Sequence, residues 1–164
     1  MAPLITSATL RNLLLAARAR PAEEICGILR GTNDVVRHAM ATANVASRPA
    51  DSFEIDAGAL LRVHRLSRAP GGFDILGCYH SHPGGRPAPS PRDAAAAAAD
   101  GRLWLILGGD TARLWRAVSQ GAVHGRFDPV AFDIMTGKRV VRSVSAVAWD
   151  DDEPGSLAIE YFLD

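Results

Sequence analysis

Gly77-Cys78-Tyr79-His80-Ser81-His82-Pro83, followed after six residues by Ser90-Pro91-Arg92-Asp93, is the stretch from which the rest of the chain can be read. Side chains alternate along a strand, so His80 and His82 point to one face with their imidazoles near enough to share an ion. Gly84-Gly85 and the prolines at 83, 87 and 89 then bend the chain back toward the strand's end. Ser90 before Pro91, with an acid at Asp93, is a helix start: a capping serine, proline at the first helical position and a carboxylate at the third. A helix begun this way holds Asp93 rigidly, where it can serve as a third ligand. Two histidines and an aspartate suit Zn²⁺, which keeps a fourth tetrahedral position for water when the site is catalytic.

Outward from this strand–loop–helix unit, Phe73 to His80 is the strand and Ala94 to Ala99 the body of an Ala-rich helix, the residue type with the highest helix propensity. Upstream, Leu10, Leu13, Leu14 and Ala17 recur at helical spacing, and Glu24 to Leu29 is an apolar strand closed by the turn Gly31-Thr32-Asn33-Asp34. Val35 to Thr42 is its return strand. Asp56 caps a second helix, with Leu60, Leu61, His64 and Ser67 at helical spacing as far as about Arg68, ended by Ala69-Pro70-Gly71-Gly72. Downstream, Leu103 to Leu107, Ala112 to Val118, Ala122 to Phe127 and Arg139 to Trp149 alternate with turns as a meander. Asp150 to Gly155 is a charged turn before a last apolar piece, Leu157 to Leu163. The pattern predicts a mixed α/β fold: a curved, mostly antiparallel sheet with the first and the Ala-rich helices on one side and the second helix on the other.

The chain has 164 residues, 48% hydrophobic and 22% charged, which is enough apolar material for a packed core and one domain over 1–164. Its 18 basic and 18 acidic residues cancel. Zero net charge removes the broad attraction that nonspecific nucleic-acid or anionic-membrane binding needs, and no run approaches the ~20 apolar residues of a membrane span. Neither nucleic acid nor membrane is expected as a partner. Arg11, Arg18 and Arg20 precede any acid, as in a transit peptide, but the segment runs straight into Pro21-Ala22-Glu23-Glu24 and reads as the first helix of the domain. Two cysteines, Cys26 and Cys78, make no disulfide framework, so a reducing cytoplasmic setting is expected. Either thiol could reach zinc, but three ligands are already in hand, and small buried side chains are the simpler reading. His38, His64 and His124 lack ligand spacing and read as structural or surface residues.

A hydrolytic zinc site also needs a base to take the proton of the attacking water and return it to the leaving amine. Glu24, at the start of an apolar strand, is the candidate; the competing reading makes Glu23 and Glu24 plain solvated charges after a helix.

Taken together, Glu24-x-Cys26-Gly27 and His80-x-His82-Pro83-x6-Ser90-x-x-Asp93 resemble the JAMM metallopeptidases of the MPN-domain superfamily. The resemblance spans about residues 8–118, including Phe53-Glu54-Ile55-Asp56, and leaves a β-rich extension over 119–164 without a motif. It implies a fold related to the cytidine-deaminase-like architecture, His80, His82 and Asp93 as zinc ligands, Glu24 as general base, and Ser90 as a donor to the developing oxyanion. It implies hydrolysis of the amide bond after the C-terminal Gly-Gly of a ubiquitin-like or sulfur-carrier protein, in the manner of compact prokaryotic members, with a homodimer as one possible state. Only eight residues, Ala94 to Gly101, separate Asp93 from Arg102, so the long insertion of the eukaryotic deubiquitinases has no room here. A non-catalytic MPN scaffold that binds protein partners is the alternative, and the intact acidic and histidine set argues against it. A zinc deaminase would need His-x-Glu and Pro-Cys-x-x-Cys, and neither occurs.

Overall fold

The computed structural model describes residues 1–152 and 156–161. Strand β1 (Leu4–Thr6) feeds helix α1 (Ser7–Arg18), whose N-cap Thr6 hydroxyl accepts from the Thr9 amide at 3.1 Å. Strands β2 (Cys26–Thr32) and β3 (Val35–Thr42) form a hairpin whose turn residues Asn33 and Asp34 both take left-handed φ, 53° and 61°. That backbone matches the twist of the flanking strands, and asparagine and aspartate tolerate it best among residues with a Cβ. Helix α2 (Ala57–Arg68) starts at Asp56, whose carboxylate accepts from the Ala59 amide at 2.8 Å.

Strand β4 (Asp74–His82) pairs antiparallel with β2 on one side and parallel with β5 (Leu103–Gly108) on the other, helix α3 (Pro91–Ala96) making the crossover between them. Strands β6 (Thr111–Gly121), β7 (Gly125–Val130), β8 (Phe132–Thr136), β9 (Arg139–Trp149) and β10 (Leu157–Tyr161) complete the sheet. Its order is β10-β9-β8-β1-β3-β2-β4-β5-β6-β7, with mostly antiparallel pairs. Thr111 and Ala112 of β6 also pair with Ala148 and Val147 of β9, so the expected curved sheet closes on itself. None of the described helices is long and apolar enough to cross a membrane.

Alternation along β5 separates two cores. Leu103, Leu105 and Leu107 pack with Leu10, Leu13 and Leu14 of α1, while Trp104 and Ile106 pack with Ala94, Ala97 and Phe127 on the opposite face. Leu60 of α2 lines a cleft of about 190 Å³ with Ile28, Cys78, Trp104 and Ala96, which puts α2 on the second face as well. The Ala-rich helix therefore shares a face with α2, opposite α1, and not with α1 as the pattern suggested. The reason is chemical as much as topological: His80 projects from the Trp104 face, so a helix that brings Asp93 to His80 must lie there.

Three further expectations are corrected. Helix α3 stops at Ala96, and Ala97 is extended (φ −78°, ψ 130°), because Ala97 packs into the Trp104 cluster and the chain must turn to enter β5. Packing overrides the propensity of the remaining alanines. Helix α2 buries Ala59 and Val63 and leaves Leu60 and Leu61 at 36% and 52% exposure, since the smaller pair lets the helix lie close to the sheet. Strands β1 and β8, three and five residues long, were not expected; β1 pairs in parallel with both β3 and β8. Of the charged turn and last apolar piece, residues 153–155 and 162–163 lie outside the described residues.

Candidate metal centre

His80 and His82 stand at the C-terminal end of β4, where Cys26 of β2 and Ile106 of β5 flank His80. His80 is fully buried: Phe53 stacks on its ring at 4.3 Å and 18°, and Trp104 meets it edge-on at 5.8 Å. The His82 side chain is 14% exposed, and its Nδ1 lies 3.0 Å from the Arg86 carbonyl, a donor position that turns Nε2 inward. The two Nε2 atoms face each other at 2.9 Å.

Asp93 reaches both. Its Oδ1 is 3.3 Å from His80 Nε2 and its Oδ2 is 3.3 Å from His82 Nε2. The capping box foreseen from Ser90-x-x-Asp93 is complete: Ser90 N–H and Ser90 hydroxyl donate to Asp93 Oδ2 at 2.7 and 2.8 Å, and Asp93 N–H donates to Ser90 Oγ at 3.1 Å. The carboxylate that caps the helix is thus the one that meets both histidines, Oδ1 at His80 and Oδ2 shared between Ser90 and His82. Ser90's hydroxyl proton points at Asp93.

Glu24 lies two residues before β2 and is 5% exposed, so the solvated-charge reading does not hold for it. Its Oε1 is 4.0 Å from His82 Nε2, and its Oε2 is buried without a hydrogen-bond partner among the described residues. Burial pushes the Glu24 carboxyl up to about 7, against the pull of His82. Burial also acts to raise Asp93, but hydrogen bonds from His80 and His82 outweigh it and hold that carboxyl well below the usual range. Burial lowers His80, and at His82 the Asp93 contacts overcome burial and raise it.

Ligand atoms of His80, His82 and Asp93 all lie within 4.8 Å of one another, the spread of a set that can hold one metal ion. Two inward imidazole nitrogens and a carboxylate, with a second carboxylate bearing an unpartnered oxygen beside them, fit a divalent cation of the zinc type. Neither thiol joins the set. Cys26 Sγ lies 3.5 Å from Thr42 Oγ1, Cys78 packs in the Trp104 cluster, and burial pushes both thiols up, away from thiolate.

Spacing alone does not reveal the supports of this site. Phe53 reads as a prelude to α2, and Trp104 and Trp115 as core. His124, expected to be structural or at the surface, places Nε2 3.1 Å from the Pro89 carbonyl, next to Ser90. Ser81, between the two histidines, faces the other way: its Oγ accepts from Ile25 N–H at 2.9 Å and its N–H donates to Ile25 O at 3.0 Å, sewing β4 to the segment that carries Glu24.

Two histidines at one strand end, a carboxylate brought to them by a capped helix and a second carboxylate beside them have the make-up of a metallopeptidase-type centre of the JAMM class on an MPN fold. Residues 6–118 match the prokaryotic homologs of the JAB domain, and the chain belongs to that family. It is 35% identical over 104 residues to the Desampylase of Haloferax volcanii, covering 60% of this chain and 74% of that one. In fold it is similar to the Desulfitobacterium hafniense protein DSY2949 (TM-score 0.68, 22% identity, 80% of this chain and 92% of that one). It is also similar to AF2198, a JAB1/MPN domain protein from Archaeoglobus fulgidus (TM-score 0.55, 18% identity, 83% and 100%).

Proposed function

We propose that the chain is a zinc-dependent isopeptidase that releases a ubiquitin-like or sulfur-carrier protein by hydrolysing the amide bond after its C-terminal Gly-Gly. The observation that carries this reading is the buried Glu24 carboxylate 4.0 Å from His82, beside a His80–His82–Asp93 set able to hold one ion. The Haloferax relative, a desampylase, supports a ubiquitin-like modifier as the substrate class. His80, His82 and Asp93 would hold the zinc. Bound there, zinc supplies Lewis acidity, lowering the pKa of water toward ~7 and polarising a carbonyl. Glu24 takes the proton of the attacking water and returns it to the leaving amine, a task for which its buried carboxylate stands 4.0 Å from His82 Nε2. Ser90 turns its hydroxyl proton from Asp93 to the carbonyl oxygen as charge develops there. An extended Gly-Gly tail suits a narrow groove and can add to a sheet edge.

The test is zinc content together with cleavage of ubiquitin-like and sulfur-carrier proteins carrying either a peptide extension or a lysine-linked partner after Gly-Gly. Stoichiometric zinc, with cleavage abolished by chelation and by Glu24→Gln, is the expected result. A folded protein that takes up no zinc would overturn the reading in favour of a non-catalytic scaffold.

A further inference from the structure

Glu24 lies two residues before β2 and outside its ladder, whose pairing with β4 begins at Cys26. Its backbone is gripped instead by the segment joining β3 to α2. Glu24 N–H donates to the Pro49 carbonyl at 2.7 Å, and Asn44 Nδ2 donates to the Glu24 carbonyl at 2.9 Å. The same Nδ2 donates to Ser52 O at 2.9 Å, while Asn44 Oδ1 accepts from the amides of Ala46 at 3.1 Å and Glu54 at 3.0 Å. An asparagine amide has two donor hydrogens and two acceptor lone pairs, and all four are used here. These bonds fold the 44–54 segment into a loop around Glu24, with Asn44 paired to Ile55 across its base. The far side of the loop is braced to α3, where Arg92 Nη1 donates to both Asp51 O and Asp51 Oδ1 at 2.9 Å, one residue before Asp93.

We propose that Asn44 is the positioning residue for Glu24, holding the base at its working distance from the ion, with the Arg92–Asp51 pair as the brace that ties this loop to the ligand-bearing helix. The inference rests on the reading of Glu24 as general base. Its consequence is a separation of roles. The four bonds of Asn44 go to residue 24 and to 46–54, not to His80, His82 or Asp93, so loss of Asn44 shifts the base and leaves the ligands in place. A displacement of ~1 Å in a catalytic group costs about 10²-fold in rate.

The test compares full-length wild type, Asn44→Ala, Asn44→Asp, Glu24→Gln and the Asn44→Ala/Glu24→Gln pair. Asn44→Asp keeps both accepting bonds, so it preserves the loop if the alanine variant fails to fold, but it sets a carboxylate oxygen against the Glu24 and Ser52 carbonyls. Zinc affinity is read by chelator competition, the Glu24 amide by hydrogen exchange, and kcat and KM on a cleaved Gly-Gly substrate. The expected result is zinc affinity and KM within about 3-fold of wild type, Glu24 amide exchange at least about 10-fold faster, kcat lower by about 10²-fold, and no further loss when Asn44→Ala is added to Glu24→Gln. Unchanged Glu24 exchange, loss of zinc in step with activity, or an additive loss in the double variant would each overturn it. Should wild type cleave nothing, the hydrolase reading fails on its own, and the exchange measurement still decides whether Asn44 holds Glu24.

Discussion

Trp115 donates its indole N–H to the carbonyl of Pro87 at 2.9 Å, fastening the loop between His82 and Asp93 to a strand 28 positions away. The same loop lies against β5 so closely that a Cβ on Gly108 would sit 2.3 Å from the Arg86 carbonyl carbon. His82 and Asp93 therefore keep their spacing because a glycine admits the loop and a tryptophan ties it. Trp115→Phe keeps an aromatic ring in the cluster and removes the bond. Thermal denaturation should show a loss of about 1–2 kcal/mol, and chelator competition a zinc affinity about 10-fold weaker. Gly108→Ala, which must move backbone, should cost more on both readouts.

Asp93 has two jobs that one substitution can separate. Its Oδ2 closes the capping box with Ser90 and also lies 3.3 Å from His82 Nε2, while its Oδ1 lies 3.3 Å from His80 Nε2. An asparagine side chain in its place would retain an oxygen for the cap but lacks the charge a divalent ion needs. For Asp93→Asn, the metal-free protein should melt below wild type, because the cap survives but the carboxylate's contacts with His80 and His82, which hold its pKa low, are lost. The gain on adding zinc, about 4 kcal/mol when zinc exceeds its Kd a thousandfold, should disappear. His80→Ala and His82→Ala should abolish the same gain. Calorimetry with and without zinc checks all three.

How much of this could be read from the chain depends on how local each signal is. The parity of His80 and His82, the Ser90–Asp93 cap and the Val35–Thr42 return strand are statements about neighbours two to four residues apart, and the structure reproduces them. Placing α3 beside α2 required knowing which face His80 occupies relative to α1, a fact set by strand pairing and not by the helix's own sequence. Strand β1 is too short to show a pattern of its own and exists because β3 and β8 flank it. Asn44 and Phe53 come against Glu24 and His80 only when residues 24 and 80 are folded onto them.

Phe53 bears on the metal through pH. Its ring lies flat on His80 at 4.3 Å and helps keep that histidine from water, and burial holds His80 below its ordinary pKa, unprotonated and free to bind. Removing the ring in Phe53→Ala admits water, and the His80 pKa climbs toward the ordinary value near ~6.5, so protons compete with the ion. Zinc affinity of the variant should be close to wild type at pH 8 and fall more steeply than wild type between pH 7 and 6. Competition titrations across that range would show it, and parallel pH curves for the two proteins would refute it.

Glu24 makes the metal-free protein sensitive to pH in a direction that can be assigned. Its folded-state pKa, about 7, lies above the unfolded value of 4.5, because burial disfavours the charged carboxylate. The folded state therefore binds the proton more tightly, and the stability this contributes is fully present below pH 4.5 and lost as pH rises through about 7. Asp93 acts oppositely and elsewhere: its lowered pKa contributes stability above pH 3.8 that is lost in more acidic solution. His80 is lowered by burial and His82 is raised by Asp93, so the two histidines pull in opposite directions and the difference between wild type and Glu24→Gln is the quantity to follow. With zinc chelated, Glu24→Gln should gain on wild type by on the order of 2–3 kcal/mol between pH 4.5 and 7.5. With zinc bound, a cation beside Glu24 stabilises the carboxylate and most of that difference should vanish. Urea denaturation at half-unit pH steps, with and without zinc, measures both; a metal-free difference that stays flat through pH 7 would place the Glu24 carboxyl in water and not against the metal centre.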